Sequence, residues 1–314
     1  MALPFPVRVS IIMPCYNAAR FIGEAVASVI DQTEVSWELL VVDDGSTDGS
    51  GDVVRRIADP RVRLISQENA GVSAARNAGL SESRGEFVAF LDADDRMRPE
   101  RLRAALDVFD RHPFLDLVVH DFVRFEHDSG RYLPSQFELV TSWRSMPSKA
   151  DGTEHTRIVE GCAVLAHPYL QPTFIWTQNV LIRSARARAS AFPVGVRICE
   201  DAWYLYRVMP GARLAIVPQV LVELRRHDAN SFSDPTSVLQ PLLAMFAALQ
   251  KERFSGPVVA KYRDGEGQAL INLGYHHRQQ QEWKTAAGYY RRALRVPAFR
   301  AAALRGLLAV LGKL

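Results

Sequence analysis

Apolar residues fall into short runs that end abruptly in polar turns, and between these runs they recur at helical spacing. Residues 7–13 run apolar up to Pro14 and predict a first strand. Asn17 is placed to cap the helix that follows, where Phe21, Ile22, Ala25, Val26, Val29 and Ile30 share a face. Residues 37–42 and 62–65 predict two more strands, 74–80 a helix, and 87–91 a strand buried on both faces. An amphipathic helix over 99–111 and a strand region over 115–125 follow. Strands alternating with helices, with a polar cluster after each strand, predict a doubly wound, mostly parallel α/β sheet with helices on both faces and its site along the carboxyl edge. Residues 126–172 carry scattered Pro, Ser and Gly without periodicity and predict loops; 174–183 predicts a return to strand.

From Pro235 the pattern changes to helices over 239–251, 266–280, 282–296 and 298–314. Trp283, Ala287, Tyr290 and Leu294 form a stripe that, with Leu270, Leu273 and Gly274, predicts one TPR-like hairpin. A lone hairpin is too small for a solenoid, so it is expected to pack on the preceding α/β part or on a partner. The domain reading is therefore residues 1–234 and a helical region over 235–314.

The buried run at 87–91 ends in Asp92, Asp94 and Asp95. Adjacent acids repel, so either a cation or a network of donors compensates them, or they form a solvated turn before the next helix. Oxygen ligands of this kind suit Mg²⁺ or Mn²⁺, which keep open positions for phosphates. Glu200 and Asp201 are a second acidic pair, suited to taking a proton from a hydroxyl or, more simply, to the N-terminus of a helix.

Composition narrows the classes. With 48% hydrophobic and 23% charged residues in 314, the chain has ample core and no mark of disorder. Cys15, Cys162 and Cys199 are widely spaced, with no CxxC pair, which predicts free thiols and no zinc site. The first residues have prolines where a signal peptide has its apolar core, and no window approaches the ~20 apolar residues of a span. A cytoplasmic protein is expected. The net charge of +3 hides an asymmetry: residues 261–314 carry ten Lys or Arg against three acids, leaving 28 against 32 before them. The tail suits an anionic surface, so peripheral membrane contact is an expectation, beside self-association and core packing; Leu304, Leu307, Leu311 and Leu314 share one face. No aromatic and basic interleaving points to nucleic acid.

Four motifs occur in order: Ser10-Ile-Ile-Met-Pro-Cys-Tyr-Asn17, Val41-Val-Asp-Asp-Gly-Ser-Thr-Asp48, Asn69-Ala-Gly-Val-Ser-Ala-Ala-Arg-Asn-Ala-Gly79 and Leu91-Asp-Ala-Asp-Asp95. The set resembles family 2 glycosyltransferases of the GT-A fold, well over residues 7–125 and more loosely to about residue 232. The resemblance implies a nucleotide-sugar donor, with UDP favoured, a Mn²⁺ or Mg²⁺ cofactor, and inversion on transfer to a hydroxyl of a glycan or lipid-linked acceptor. The donor half is then about 1–125 and the acceptor half about 126–234. Pro14 and Tyr16 would line the nucleotide pocket, Asp44 would contact the base, and Asn69 and Arg76 would lie near the donor. Asp94 would hold the metal, with Asp92 nearer the ribose or a metal-bound water. Asp201 would be the base and Glu200 a supporting or acceptor-binding group. His227 would be a further metal or phosphate ligand, and Arg226 a charge partner for the leaving group. Gly71 and Gly79 are expected to serve turns and helix ends. Processive relatives carry Gln-x-x-Arg-Trp; here Gln279-Gln-Gln-Glu-Trp283 has Glu in the Arg position, which favours transfer of single sugars. The alternative is a nucleotide-sugar-binding or scaffold protein that uses the helical tail for partners.

Overall fold

The strands are β1 (Val9–Cys15), β2 (Trp37–Asp43), β3 (Val62–Ser66), β4 (Phe87–Phe90), β5 (Arg96–Met97), β6 (Leu117–Glu126), β7 (Lys149–Ala150), β8 (Arg157–Glu160), β9 (Val180–Arg183) and β10 (Arg213–Arg226). They form one sheet in the order β3-β2-β1-β4-β9-β6-β10-β8-β7, with β5 paired to β10. This computed structural model describes residues 6–146, 149–150, 156–160, 174–196, 198–227 and 235–313. Two compact units divide near residue 229.

β1 to β4 are mutually parallel, as the alternating strand and helix pattern predicts. β9 runs antiparallel to both β4 and β6, and β10 lies parallel to β6. The carboxyl ends of β1, β2, β4, β6 and β10 therefore share one edge with the start of β9, and that edge carries the site. The sheet is held by side chains such as Trp37, Phe87, Phe90, Ile11 and Ile12, all essentially inaccessible. Each such burial contributes about 1.5–3 kcal/mol.

Several local expectations change. β1 continues through Pro14 to Cys15. β4 pairs only as far as Ile12, so Pro14 withholds no ladder bond on that side. Asn17 does not cap the next helix, Ile22–Ile30, whose N-cap is Phe21. It adopts a left-handed φ of 49° and accepts from the Thr47 amide at 2.9 Å, tying the two loops after β1 and β2 together. Gly79 is not a helix end. It lies within helix Val72–Glu82, where a Cβ would come 2.4 Å from Ile12, so the glycine lets that helix sit close on β1. Gly71 does precede that helix, with φ 89°. Residues 174–183 are not one strand: Thr177–Asn179 is a single 3-10 turn and only Val180–Arg183 is extended. The 126–172 region is not all loop, since Gln136–Leu139 is a helical turn closed by a capping box from Ser135, and β7 and β8 extend the sheet. β10, the longest strand, had no counterpart in the sequence reading.

The helical unit contains Pro235–Leu249, Gly256–Gln279, Trp283–Ala293 and Arg300–Leu311. The predicted hairpin is its middle pair, but it is not isolated, because a helix packs on each of its members. Close approach depends on glycine against aromatic rings. A Cβ on Gly265 would lie 2.6 Å from Phe246, and one on Gly274 or Gly306 would lie 2.6 Å or 2.4 Å from Tyr290. Among the described residues no helix is long and apolar enough to cross a membrane.

Candidate active site

The turn after β4 separates its three acids. Asp92 accepts from Arg76 Nη2 at 2.9 Å and from the Gln178 amide. Asp94 Oδ2 lies 3.0 Å from His227 Nε2. Asp95 is buried and turned inward, where its Oδ1 accepts from the Arg225 backbone amide at 2.8 Å. Burial, with the neighbouring acids, pushes the carboxyls of Asp94 and Asp95 above the usual range.

Arg76 stands between the two acidic pairs. One guanidinium nitrogen donates to Asp92 and the other to Glu200 Oε1 at 2.8 Å, with the side chain only 3% exposed. Burial works against its charge, and Asp92 and Glu200 outweigh that effect, so it stays protonated. Its Nε and Ser73 Oγ, three residues earlier on helix Val72–Glu82, are buried without a hydrogen-bond partner.

Glu200 and Asp201 open helix Glu200–Val208, preceded by Cys199 in a left-handed conformation (φ 67°). Left-handed backbone at a non-glycine residue costs roughly 1–2 kcal/mol and fixes where the helix begins. Asp201 accepts from the Ala202 amide. Burial and the adjacent Glu200 raise its carboxyl to about 6, against the opposing pull of Arg76. A carboxylate in that range suits proton transfer near neutral pH.

The remaining predicted residues are placed as follows. Pro14 is buried within β1, whereas Tyr16 is 54% exposed just beyond it. Asp44 is buried, and its oxygens accept from Gln67 Nε2 and from the amides of Ala70 and Gly71. That uses three of about four acceptor sites, so Asp44 chiefly holds the 67–71 loop. Asn69 is exposed on that loop, and its amide would lie 2.9 Å from a Cβ at Gly45. Arg226, expected to face the leaving group, is exposed; the inward charge is Arg225, which donates to the Asp94 carbonyl and to Glu24. Residues 228–231 of the basic segment lie outside the described residues, as does Cys162; Cys15 and Cys199 are buried thiols.

Sequence reasoning missed Gln178 and Arg101. Arg101 is fully buried, and among the described residues no carboxylate is hydrogen-bonded to it. It donates to His120 Nε2 and to the carbonyls of Phe90, Gln178 and Val180, fixing the end of β4 against the turn that carries Gln178. Burial pushes its guanidinium down to about 9. The sequence signal was an arginine among the apolar positions of helix Arg101–Arg111.

Residues 10–172 match the family model Glycosyl transferase family 2. The chain belongs to this family. It is 36% identical over 216 residues to EpsJ of Bacillus subtilis (strain 168), an uncharacterized glycosyltransferase, covering 65% of this chain and 62% of EpsJ. It spans only about a third of the length of several other curated relatives. In fold it is similar to S. aureus TarS 1–349 in complex with UDP-GlcNAc, with a TM-score of 0.68 at 18% identity, covering 96% of this chain and 89% of that one. It is also similar to the mannosyltransferase PcManGT from Pyrobaculum calidifontis, in complex with GDP-Man and Mn²⁺. There the TM-score is 0.59 at 21% identity, and the match covers 99% of this chain and 82% of that one.

Among the described residues no group of three His, Cys, Asp or Glu side chains converges on one point. A fully protein-built metal cage is therefore absent from them. A site completed by phosphate oxygens needs fewer ligands. Asp94 Oδ2 and His227 Nε2 lie in hydrogen-bond contact at 3.0 Å, a carboxylate oxygen and an imidazole nitrogen side by side. The donor set fits a hard or borderline divalent ion that also binds substrate.

Proposed function

We propose that this family 2 member is a metal-dependent inverting glycosyltransferase. It moves one sugar from a nucleotide-sugar donor, UDP-sugar favoured, to a hydroxyl of a glycan or lipid-linked acceptor. The observation that carries the reading is Arg76 held between Asp92 and Glu200, which ties a diphosphate-side acid to the acid pair that includes Asp201. The fold likeness to proteins solved with UDP-GlcNAc and with GDP-Man and Mn²⁺ supports the donor class.

In this reading exposed Tyr16 meets the nucleotide, while Asp44 stiffens the 67–71 loop beside it. Asp94 and His227 would hold Mn²⁺ or Mg²⁺, which would supply positive charge to the diphosphate. Arg76 and Gln178 fix Asp92. Asp201 takes the acceptor hydroxyl's proton as that oxygen bonds to the anomeric carbon. The carbon–phosphate-oxygen bond breaks on the opposite face, and nucleoside diphosphate leaves. Attack opposite the leaving group inverts the configuration. Glu200 holds Arg76 and, through its charge, keeps Asp201 basic enough to act.

The test is product analysis with labelled nucleotide sugars, with the anomeric configuration read by NMR, in the presence of Mn²⁺ and of excess chelator. Metal-supported transfer with inversion is expected. Full transfer in chelator, or retention, overturns the corresponding part.

A further inference from the structure

The final helix, Arg300–Leu311, has two different sides. Ala303, Gly306 and Val310 face the interior of the helical unit, and Leu307 is half-buried against Ala286, Ala287 and Tyr290. Leu304, Leu308 and Leu311 are 52%, 70% and 54% exposed. At i, i+4 and i+7 they form one apolar stripe on the outer side. Leu308 thus takes the place that the sequence pattern gave to Leu307.

The surroundings of this stripe are mostly basic, with exposed Glu282 sharing a groove with Lys284 and Lys313. Residues 283–314 contain Lys284, Arg291, Arg292, Arg295, Arg300, Arg305 and Lys313 and no acid; all seven are exposed. On the helical wheel Arg300 and Arg305 flank the leucines on either side.

We propose that this face docks the protein peripherally on an anionic lipid surface. Leucines flanked by Lys and Arg are the arrangement that lies in the headgroup boundary, with apolar side chains entering the acyl region and cations meeting lipid phosphates. Nucleic acid would satisfy the arginines and offer nothing to the leucines. A second copy in a two-fold contact would bring two such basic faces together, where like charges repel.

The experiment sediments the full chain with phosphatidylcholine vesicles, with and without phosphatidylglycerol, at low and raised salt. No donor or metal is present, so its outcome is separate from that of the proposed reaction. Wild type is expected to pellet with the anionic vesicles and to be released by salt. L304D/L308D should partition at least about tenfold less. R291Q/R305Q should fall by about fivefold per charge removed. Circular dichroism checks both folds, and if L304D/L308D fails to fold, R291Q/R305Q carries the test. Equal pelleting of wild type and a folded variant overturns the proposal, as does no pelleting on anionic vesicles. A concentration-dependent dimer that L304D/L308D abolishes, without vesicle binding, assigns the face to a second copy instead.

Discussion

The acids after β4 and the acids that open helix Glu200–Val208 look alike as text, yet their surroundings make them opposites. Asp92 is claimed by Arg76 and Gln178, Asp95 by the backbone of β10, and Asp94 faces His227. In the second pair Glu200 is claimed by Arg76, while Asp201 accepts from the first-turn amide of Ala202 and is raised to about 6. The first cluster is held in position by these donors, although burial and mutual repulsion push Asp94 and Asp95 upward. The second leaves one carboxylate able to change its protonation state. Acidity alone therefore does not assign a role; the donors around each oxygen do.

Breaking the comparison at its two ends should produce opposite failures. Asp201→Asn keeps size and a hydrogen-bond acceptor but cannot take a proton, so transfer should fall ~10²–10⁴-fold while donor affinity, read by calorimetry, stays close to wild type. Asp94→Ala should lose metal-dependent donor binding itself, and its turnover should drop to the level seen in excess chelator. If Asp201→Asn transfers normally and Glu200→Gln is inactive, the base is Glu200; if the double variant transfers normally, the pair has no part in the chemistry.

A smaller effect is expected from Gln178, because it acts through Asp92. Gln178→Leu removes a donor to a carboxylate, an interaction worth about 1.5–3 kcal/mol, and should lower turnover by roughly 10–100-fold. The stability of the fold should change less, since Arg101 holds the Gln178 turn by its carbonyl rather than by its side chain. Unchanged turnover with a lowered melting temperature would reduce Gln178 to a structural contact.

What could be read in the sequence follows from what sequence periodicity measures. β1, β2 and β4 are central strands with apolar runs, so their carboxyl-end residues, from Tyr16 to Asp94, were legible. The approach of Glu200 to Arg76 spans 124 positions and leaves no local trace. β9 runs against its neighbours, so Gln178 reaches the site from a strand's beginning, and no periodicity encodes strand direction. β10 was missed because Pro218, Gln219 and exposed Arg213 interrupt its apolar positions, and its register shifts between Val217 and Val222. Arg225 and Arg226 end that strand, and its alternation buries Arg225 while leaving Arg226 exposed.

The finest test moves the protonation of Asp201 without removing it. As a base it acts when ionised, so turnover should rise with pH through a limb near 6 and level off above it. Glu200 raises that carboxyl and Arg76 lowers it, which fixes the sign of two substitutions. Glu200→Gln removes the repelling charge and should move the limb below 6. Arg76→Gln removes the attracting charge and should move it above 6. Arg76→Gln also leaves Asp92 and Glu200 short of a buried partner, a loss of about 3–5 kcal/mol, so its profile belongs well below its own melting temperature. A merely structural role for Arg76 predicts lower activity at every pH with the limb in place. Two limbs displaced in opposite directions require that both charges act on the proton of Asp201.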